Sequence, residues 1–120
     1  MKSIEEIKNI LKNSRGTTAY HIFSAVRGYP QATDGVMALA EAAECYWLLD
    51  AICSYSDADI LDKDFSVWTL EVNRESQSAV LTGYNDTMEV IRQEIEYTNF
   101  PLDKVTLYLI RNIILLPSEY

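Results

Sequence analysis

The chain has 120 residues, a hydrophobic content of 48% and a formal net charge of −8 at pH 7. This length accommodates one domain, and the apolar content is sufficient for a core that needs neither disulfides nor a structural metal. No apolar run approaches the roughly 20 residues of a membrane-spanning helix, and acidic residues occupy positions where a signal peptide is apolar. We therefore expect a single cytoplasmic domain over residues 1–120, with no cofactor and no membrane partner.

The charge is unevenly distributed along the chain. Between positions 34 and 64 lie eight of the 18 acidic residues, and Lys63 is the only base. Such a region repels phosphate and anionic lipid, so we expect no direct binding of nucleic acid or membrane. It would attract a basic surface, although an acidic surface whose sole role is solubility gives the same pattern.

Two helical patterns occupy the first half of the chain. Ser3 followed by Glu6 makes a capping box, which predicts an N-terminal helix within residues 1–16. A second apolar stripe, opened by Thr33-Asp34, predicts a central helix over residues 33–56. The second half of this stripe is apolar nearly all round, so we expect the central helix to form the core.

From residue 65 the apolar period changes from helical to two, and turn residues recur at short intervals. This pattern predicts an antiparallel meander of about five strands over residues 65–117, with a tight turn at Arg111-Asn112. The last apolar run, Ile113 to Leu116, needs a cover, which we expect to be the Tyr46–Cys53 part of the central helix. The predicted fold class is α+β: two to three N-terminal helices followed by a sheet packed on the central helix.

Residues that could carry chemistry are few. Cys45 and Cys53 are eight residues apart on one helix, about 12 Å, which is too far for a disulfide, so we expect reduced core thiols. His21, beside Tyr20, lies within residues 17–27, whose apolar positions fit neither the helical nor the strand period cleanly. We expect a helical turn or a short extended stretch there. His21 could be a general base, but a lone histidine is more often a surface or capping residue.

The loop after the central helix contains four aspartates: Asp57, Asp59, Asp62 and Asp64. Their spacing suggests calcium, which prefers several oxygen ligands. The EF-hand template fails, because Asp62 stands where glycine is required and Trp68 stands where the bidentate glutamate belongs. Glu94 and Glu96 lie on one face of a predicted strand, as paired catalytic carboxylates could, but we predict that this face is exposed to solvent. We therefore predict no metal site and no catalytic residue.

The predicted partner-binding residues are six acids and one tyrosine: Glu41, Glu44, Asp57, Asp59, Asp62, Asp64 and Tyr55. Tyrosine supplies contact area in interfaces. We expect Tyr29, Tyr55 and Tyr84 to be exposed because each lies next to turn residues.

Six segments carry a resemblance to a known family: Thr33-Asp-Gly, Tyr46-Trp-Leu-Leu-Asp-Ala-Ile, Val67-Trp-Thr-Leu, Ser78-Ala-Val-Leu-Thr, Glu94-Ile-Glu-Tyr-Thr-Asn-Phe-Pro-Leu and Leu115-Leu-Pro-Ser-Glu-Tyr. They resemble a family of short uncharacterised bacterial proteins that are often carried by phages, plasmids and other mobile elements. The match covers about residues 17–120. The resemblance implies no activity and no residue roles. It implies an accessory protein of mobile DNA, where inhibitors of host defence nucleases are common.

Three hypotheses follow. The first is a non-enzymatic, anti-CRISPR-like inhibitor that docks on a basic surface of a host protein or nucleoprotein complex, with carboxylates standing in for phosphates. The second is a small enzyme with a site around His21. The third is a homodimeric structural protein that uses the sheet edge or the aromatic surface.

Overall fold

The computed structural model describes residues 1–17, 19–24 and 28–120. Its elements in chain order are α1 (Ile4–Asn13), β1 (Gln31–Ala32), α2 (Asp34–Ala42), α3 (Tyr46–Tyr55), β2 (Ser66–Asn73), β3 (Ser78–Asn85), β4 (Met88–Ile95), β5 (Lys104–Ile110), β6 (Ile113–Leu115) and a 3₁₀ helix (Pro117–Glu119). The α+β class is confirmed, with three N-terminal helices and a mixed sheet in the described part of the chain.

The N-terminal helix α1 begins as the sequence predicts. The Ser3 hydroxyl accepts from the Glu6 N–H at 3.2 Å and donates to the Glu6 carboxylate at 3.1 Å. Ser14 ends the helix, and its backbone N–H bonds to the carbonyl of Ile10. The helix buries Ile7 completely, which anchors it to the core.

The helix expected over residues 33–56 is divided into α2 and α3. Glu44 has a φ of 53° and Cys45 has non-helical dihedral angles, so the helix stops after Ala42 and a second one begins at Tyr46. A continuous helix of that length would be about 35 Å long, as long as the largest dimension of the molecule. The break lets two shorter apolar helices share one core.

Over the described residues, the sheet has six strands in the order β1-β6-β5-β2-β3-β4. The hairpins β2–β3 and β3–β4 form the expected meander. The chain then returns to the other side of β2, where β5 pairs antiparallel, and β1 pairs parallel with β6. In a simple sequential meander β5 would lie beside β4. Here it lies beside β2, so the apolar strand β2 is paired on both sides.

The core lies on one face of this sheet. Trp68 and Leu70 of β2 and Leu107 of β5 are almost completely buried, together with apolar residues of all three helices. Strand β6 lies against α2, the first half of the predicted central helix, and cover of the last apolar run by Tyr46–Cys53 stays a prediction. No helix in the described ranges is both long and apolar enough to span a bilayer.

Candidate functional site

His21 lies beside the N-terminus of α2 because its backbone pairs with Ala32. The His21 N–H donates to the Ala32 carbonyl at 2.7 Å, and the Ala32 N–H donates back at 3.0 Å. His21 is thus extended, one of the two expected conformations for its segment. Thr18 and residues 25–27, which belong to the same segment, lie outside the described residues.

The imidazole of His21 contacts the carboxylate of Asp34. The distance from Nε2 to Oδ1 is 2.5 Å, and both side chains are 39% exposed. A histidine oriented by a carboxylate is an arrangement found in general-base catalysis. Asp34 also begins α2, where its backbone N–H donates to the Thr17 hydroxyl at 3.0 Å, and a carboxylate at this position is stabilised by the helix dipole. The pair therefore has both a chemical and a structural interpretation.

A cleft of about 400 Å³ lies next to this helix terminus, and its walls include Thr17, Tyr20, Thr33, Leu115 and Glu119. Glu119 is already committed to the backbone, since it accepts from the N–H groups of Gly35 and Leu116 and from the Thr33 hydroxyl. Neither His21 nor Asp34 is among the residues that line this cleft, so the pair lies beside it. In the described part of the chain, no three His, Cys, Asp or Glu side chains are grouped to hold a metal ion.

The predicted acidic residues form two groups rather than one. Glu41 and Glu44 lie near the N-terminus, whose amino group is 2.7 Å from a carboxylate oxygen of Glu44. The four aspartates lie beyond the other end of α3, a helix of ten residues that is about 15 Å long. Because these groups are at opposite ends of α3, the two glutamates do not extend the surface of the four aspartates.

The loop of residues 57–64, called the aspartate loop below, is held to the sheet by Asn85. The Asn85 side chain accepts from the Asp62 N–H at 2.8 Å and donates to the Ile60 carbonyl at 2.7 Å. The Asp62 carboxylate accepts from the Asp64 N–H at 2.9 Å. These bonds give the loop a defined conformation. Its four carboxylate residues are all exposed.

Two basic residues accompany the aspartate loop. The Lys63 ammonium donates to the backbone carbonyl oxygens of Ser56 and Ala58 at the end of α3. The Arg111 guanidinium is 3.8 Å from Asp64, but both side chains are about 80% exposed, so water screens this ion pair strongly. The aspartate loop and the Arg111-Asn112 turn line a cleft of about 320 Å³. The carboxylate residues in its walls are Asp57, Asp62 and Asp64.

Tyr55 makes contacts within the fold. Its ring stacks on Trp68 with a centroid distance of 5.9 Å, and its hydroxyl donates to Gln93 at 2.9 Å. The expectation that Tyr29, Tyr55 and Tyr84 are exposed is wrong, since each is half-buried. A position next to a turn does not determine the direction of a side chain. The exposed tyrosines are Tyr20, Tyr46, Tyr97 and Tyr120.

The two cysteines are buried and free, as predicted. Burial raises the pKa of the Cys45 thiol to about 12, and burial together with the nearby Asp50 carboxylate raises that of the Cys53 thiol to about 12. Thiols of this kind are poor nucleophiles because the reactive species is the thiolate.

Sequence reasoning did not identify Asp34 and Glu119 as partners of the residues around them. Asp34 was recognisable as a helix start, but its contact with His21 depends on the backbone bridge to Ala32. Glu119 had no local signal at all, because the N–H group of Gly35 is 84 residues away in sequence.

Comparison with known proteins identifies a family and assigns no activity. No curated protein matches the chain, and no solved structure matches it. A family model described as a family of unknown function, DUF6876, matches residues 5–120, which include all of α1 except its first residue. Because this match covers nearly the whole sequence, the chain belongs to the DUF6876 family.

Proposed function

We propose that this protein is a non-enzymatic binding protein that docks on a basic surface of another macromolecule through the aspartate loop. One observation carries the proposal: four exposed aspartates lie in one loop. The ammonium group of the single lysine in this loop donates hydrogen bonds to backbone carbonyl groups of the same chain. Lys63 therefore does not neutralise the carboxylates, and the ion pair of Arg111 with Asp64 is exposed and strongly screened by water. Charge of one sign on a fixed loop favours fast, specific association.

The conformation of the loop supports the same function. Asn85 and Asp62 already satisfy backbone groups of the loop, so binding requires little further ordering. A preordered loop loses less conformational entropy on association than a flexible one. Carboxylates held in this way can occupy sites that bind backbone phosphates.

The partner class that we propose is the nucleic-acid channel of a host defence nuclease. The resemblance to proteins of phages and plasmids supports this setting, and a basic channel has the charge that the aspartate loop complements. In this role the protein is an inhibitor that competes with nucleic acid. Tyr55 would contribute indirectly, because it supports the end of α3 from which the loop starts.

Matched charge variants test the proposal. The test variant combines Asp57→Lys, Asp59→Lys and Asp62→Asn, in which the asparagine retains an oxygen for the Asp64 N–H. The control combines Glu75→Lys, Glu96→Lys and Asp103→Asn, exposed positions outside the loop with the same change in net charge. Wild-type protein is used to capture a partner from host lysate, and affinity for the purified partner is then measured at about 50 mM and about 300 mM salt.

We expect the loop variant to lose at least about tenfold in affinity and the control to retain it. Affinity of the wild type should fall with salt, and single-stranded nucleic acid should displace it from the partner. Equal losses in both variants would show that net charge alone matters and contradict the assignment to the loop. If nucleic acid does not compete, the nuclease channel is not the binding site, although the proposal of docking on a basic surface would still stand.

A second candidate is a small hydrolase that uses His21 as a general base. The specific observation is the 2.5 Å contact with Asp34. The chain neighbours of this pair, Tyr20 and Thr33, line a cleft of about 400 Å³. Hydrolysis of p-nitrophenyl acetate and bis-p-nitrophenyl phosphate tests it, with His21→Gln as the comparison. A rate that is the same for both proteins removes this candidate.

A further inference from the structure

The two edges of the sheet are different. The edge strand β1 has two residues, and His21 bridges to it. The opposite edge strand, β4, has eight residues and pairs with β3 on one side, whereas no described strand pairs with its other side. An edge strand of this length offers a row of backbone N–H and C=O groups to another chain.

A bulge divides β4 into a short irregular part and a regular part. Ile91 pairs with Gly83 and Glu89 pairs with Tyr84, so that Val90 is the extra residue. Bulges and charges on edge strands usually oppose pairing. The regular part, residues 91–95, lies beyond the bulge and has no proline.

The charges of the regular part permit one self-pairing register. In a dimer whose two-fold axis is perpendicular to the joined sheet, a residue can stand opposite only a residue on the same face. A register centred on Arg92 places two arginines opposite each other, and one centred on Glu94 places two glutamates opposite each other. A register centred on Ile91 runs through the bulge, and one centred on Ile95 places Glu94 opposite Glu96 twice. Centring on Gln93 places Arg92 opposite Glu94 twice, once on each side of the axis.

We propose that this chain forms a symmetric dimer in which β4 pairs antiparallel with β4 of a second copy, with Arg92 opposite Glu94. The charges complement one another in this register alone, and Ile91 then stands opposite Ile95 on the helix-covered face. Directly opposite charges stabilise a strand pair, and like charges destabilise it. The joined sheet has twelve strands, and the aspartate loop takes no part in the contact.

Four variants test both the edge and the register. Arg92→Glu and Glu94→Arg each place like charges opposite each other twice, whereas the double exchange R92E/E94R restores both attractions. Lys104→Glu is the matched control, because Lys104 is exposed on the same face but lies on β5, away from the edge. Circular dichroism and thermal unfolding establish that each variant is folded.

Sedimentation equilibrium from about 1 µM to about 1 mM gives the dissociation constant of each protein. We expect the wild type to dimerise, each single reversal to weaken the dimer about tenfold or more, and the double exchange and Lys104→Glu to retain wild-type affinity. A monomer at every concentration overturns the proposal. A dimer that the single reversals leave unchanged places the interface elsewhere, and weakening without restoration in the double exchange overturns the register.

Discussion

A carboxylate oxygen of Glu119 accepts a hydrogen bond from the backbone N–H of Gly35 at 3.2 Å, so the C-terminal 3₁₀ helix caps the start of α2. The other oxygen accepts from the Thr33 hydroxyl at 2.6 Å and from the Leu116 N–H at 2.9 Å. The first N–H groups of a helix have no intrahelical partner, and a nearby anion also interacts favourably with the helix dipole. One side chain thus connects the C-terminal 3₁₀ helix to the start of α2.

Glu119→Ala should lower the free energy of unfolding by about 2 kcal/mol, because it removes hydrogen bonds to a charged acceptor at a helix start. Urea denaturation measures the change. Glu96→Ala is the control, since Glu96 is exposed and should change stability by less than about 0.5 kcal/mol. Equal effects of the two substitutions would show that the Glu119 cap contributes nothing.

Gly35→Ala should destabilise the protein although alanine is the better helix former. A Cβ atom at this position would lie 2.8 Å from the Glu119 carboxylate, which would have to move and lose its bonds. In the Glu119→Ala background the obstacle is absent, so the same change should be neutral or stabilising by up to about 1 kcal/mol. A double-mutant cycle measured by urea denaturation tests this reversal of sign. Destabilisation in both backgrounds would place its cause elsewhere.

Local signals in the sequence predicted the features that depend on local contacts. Ser3 caps α1 and Thr33 caps α2 with the side-chain bonds expected of them. The turn at Arg111-Asn112 joins β5 to β6 with both residues at positive φ, 46° and 69°, as in the two-residue hairpin turns of type I′. Each of these features is decided within a few residues.

Features that depend on distant contacts were not predictable in this way. The break at Glu44 contains no glycine or proline, and the Glu119 cap depends on a residue 84 positions away. Similarly, the concentration of acidic residues was visible in the sequence, but its division by α3 was not. The contact between His21 and Asp34 required the backbone bridge to Ala32.

Glu44→Gly should be more stable than Glu44→Ala by about 1 kcal/mol, since only glycine adopts a φ of 53° without steric cost. Both variants lose the ion pair with the N-terminal amino group, so the difference isolates the backbone. Asp50, exposed in the middle of α3, provides the opposite case. There the glycine variant should be less stable than the alanine variant by about 1 kcal/mol. Thermal unfolding measures both pairs, and the same sign at both positions would contradict the strained conformation of Glu44.

The buried thiols make stability depend on pH in the alkaline range. Burial raises the pKa of Cys45 and Cys53 from 9.0 to about 12 in the folded protein. Above pH 9 the unfolded chain therefore loses thiol protons that the folded chain retains, and unfolding becomes more favourable as the pH rises. The contribution of the protonated thiols to the free energy of unfolding is fully present below pH 9. Above pH 9 it declines by about 1.4 kcal/mol per thiol and pH unit until the thiols of the folded protein ionise.

The double variant Cys45→Ala/Cys53→Ala separates this effect from the titration of lysines and tyrosines. Between pH 8 and pH 10, the free energy of unfolding of the wild type should fall further than that of the variant, by up to about 3 kcal/mol for the two thiols. Urea denaturation at both pH values measures the difference. A thiol reagent gives an independent check, because both cysteines should react at pH 8 only after unfolding. Parallel pH dependence in the two proteins, with rapid labelling of the folded wild type, would contradict the burial of the thiols.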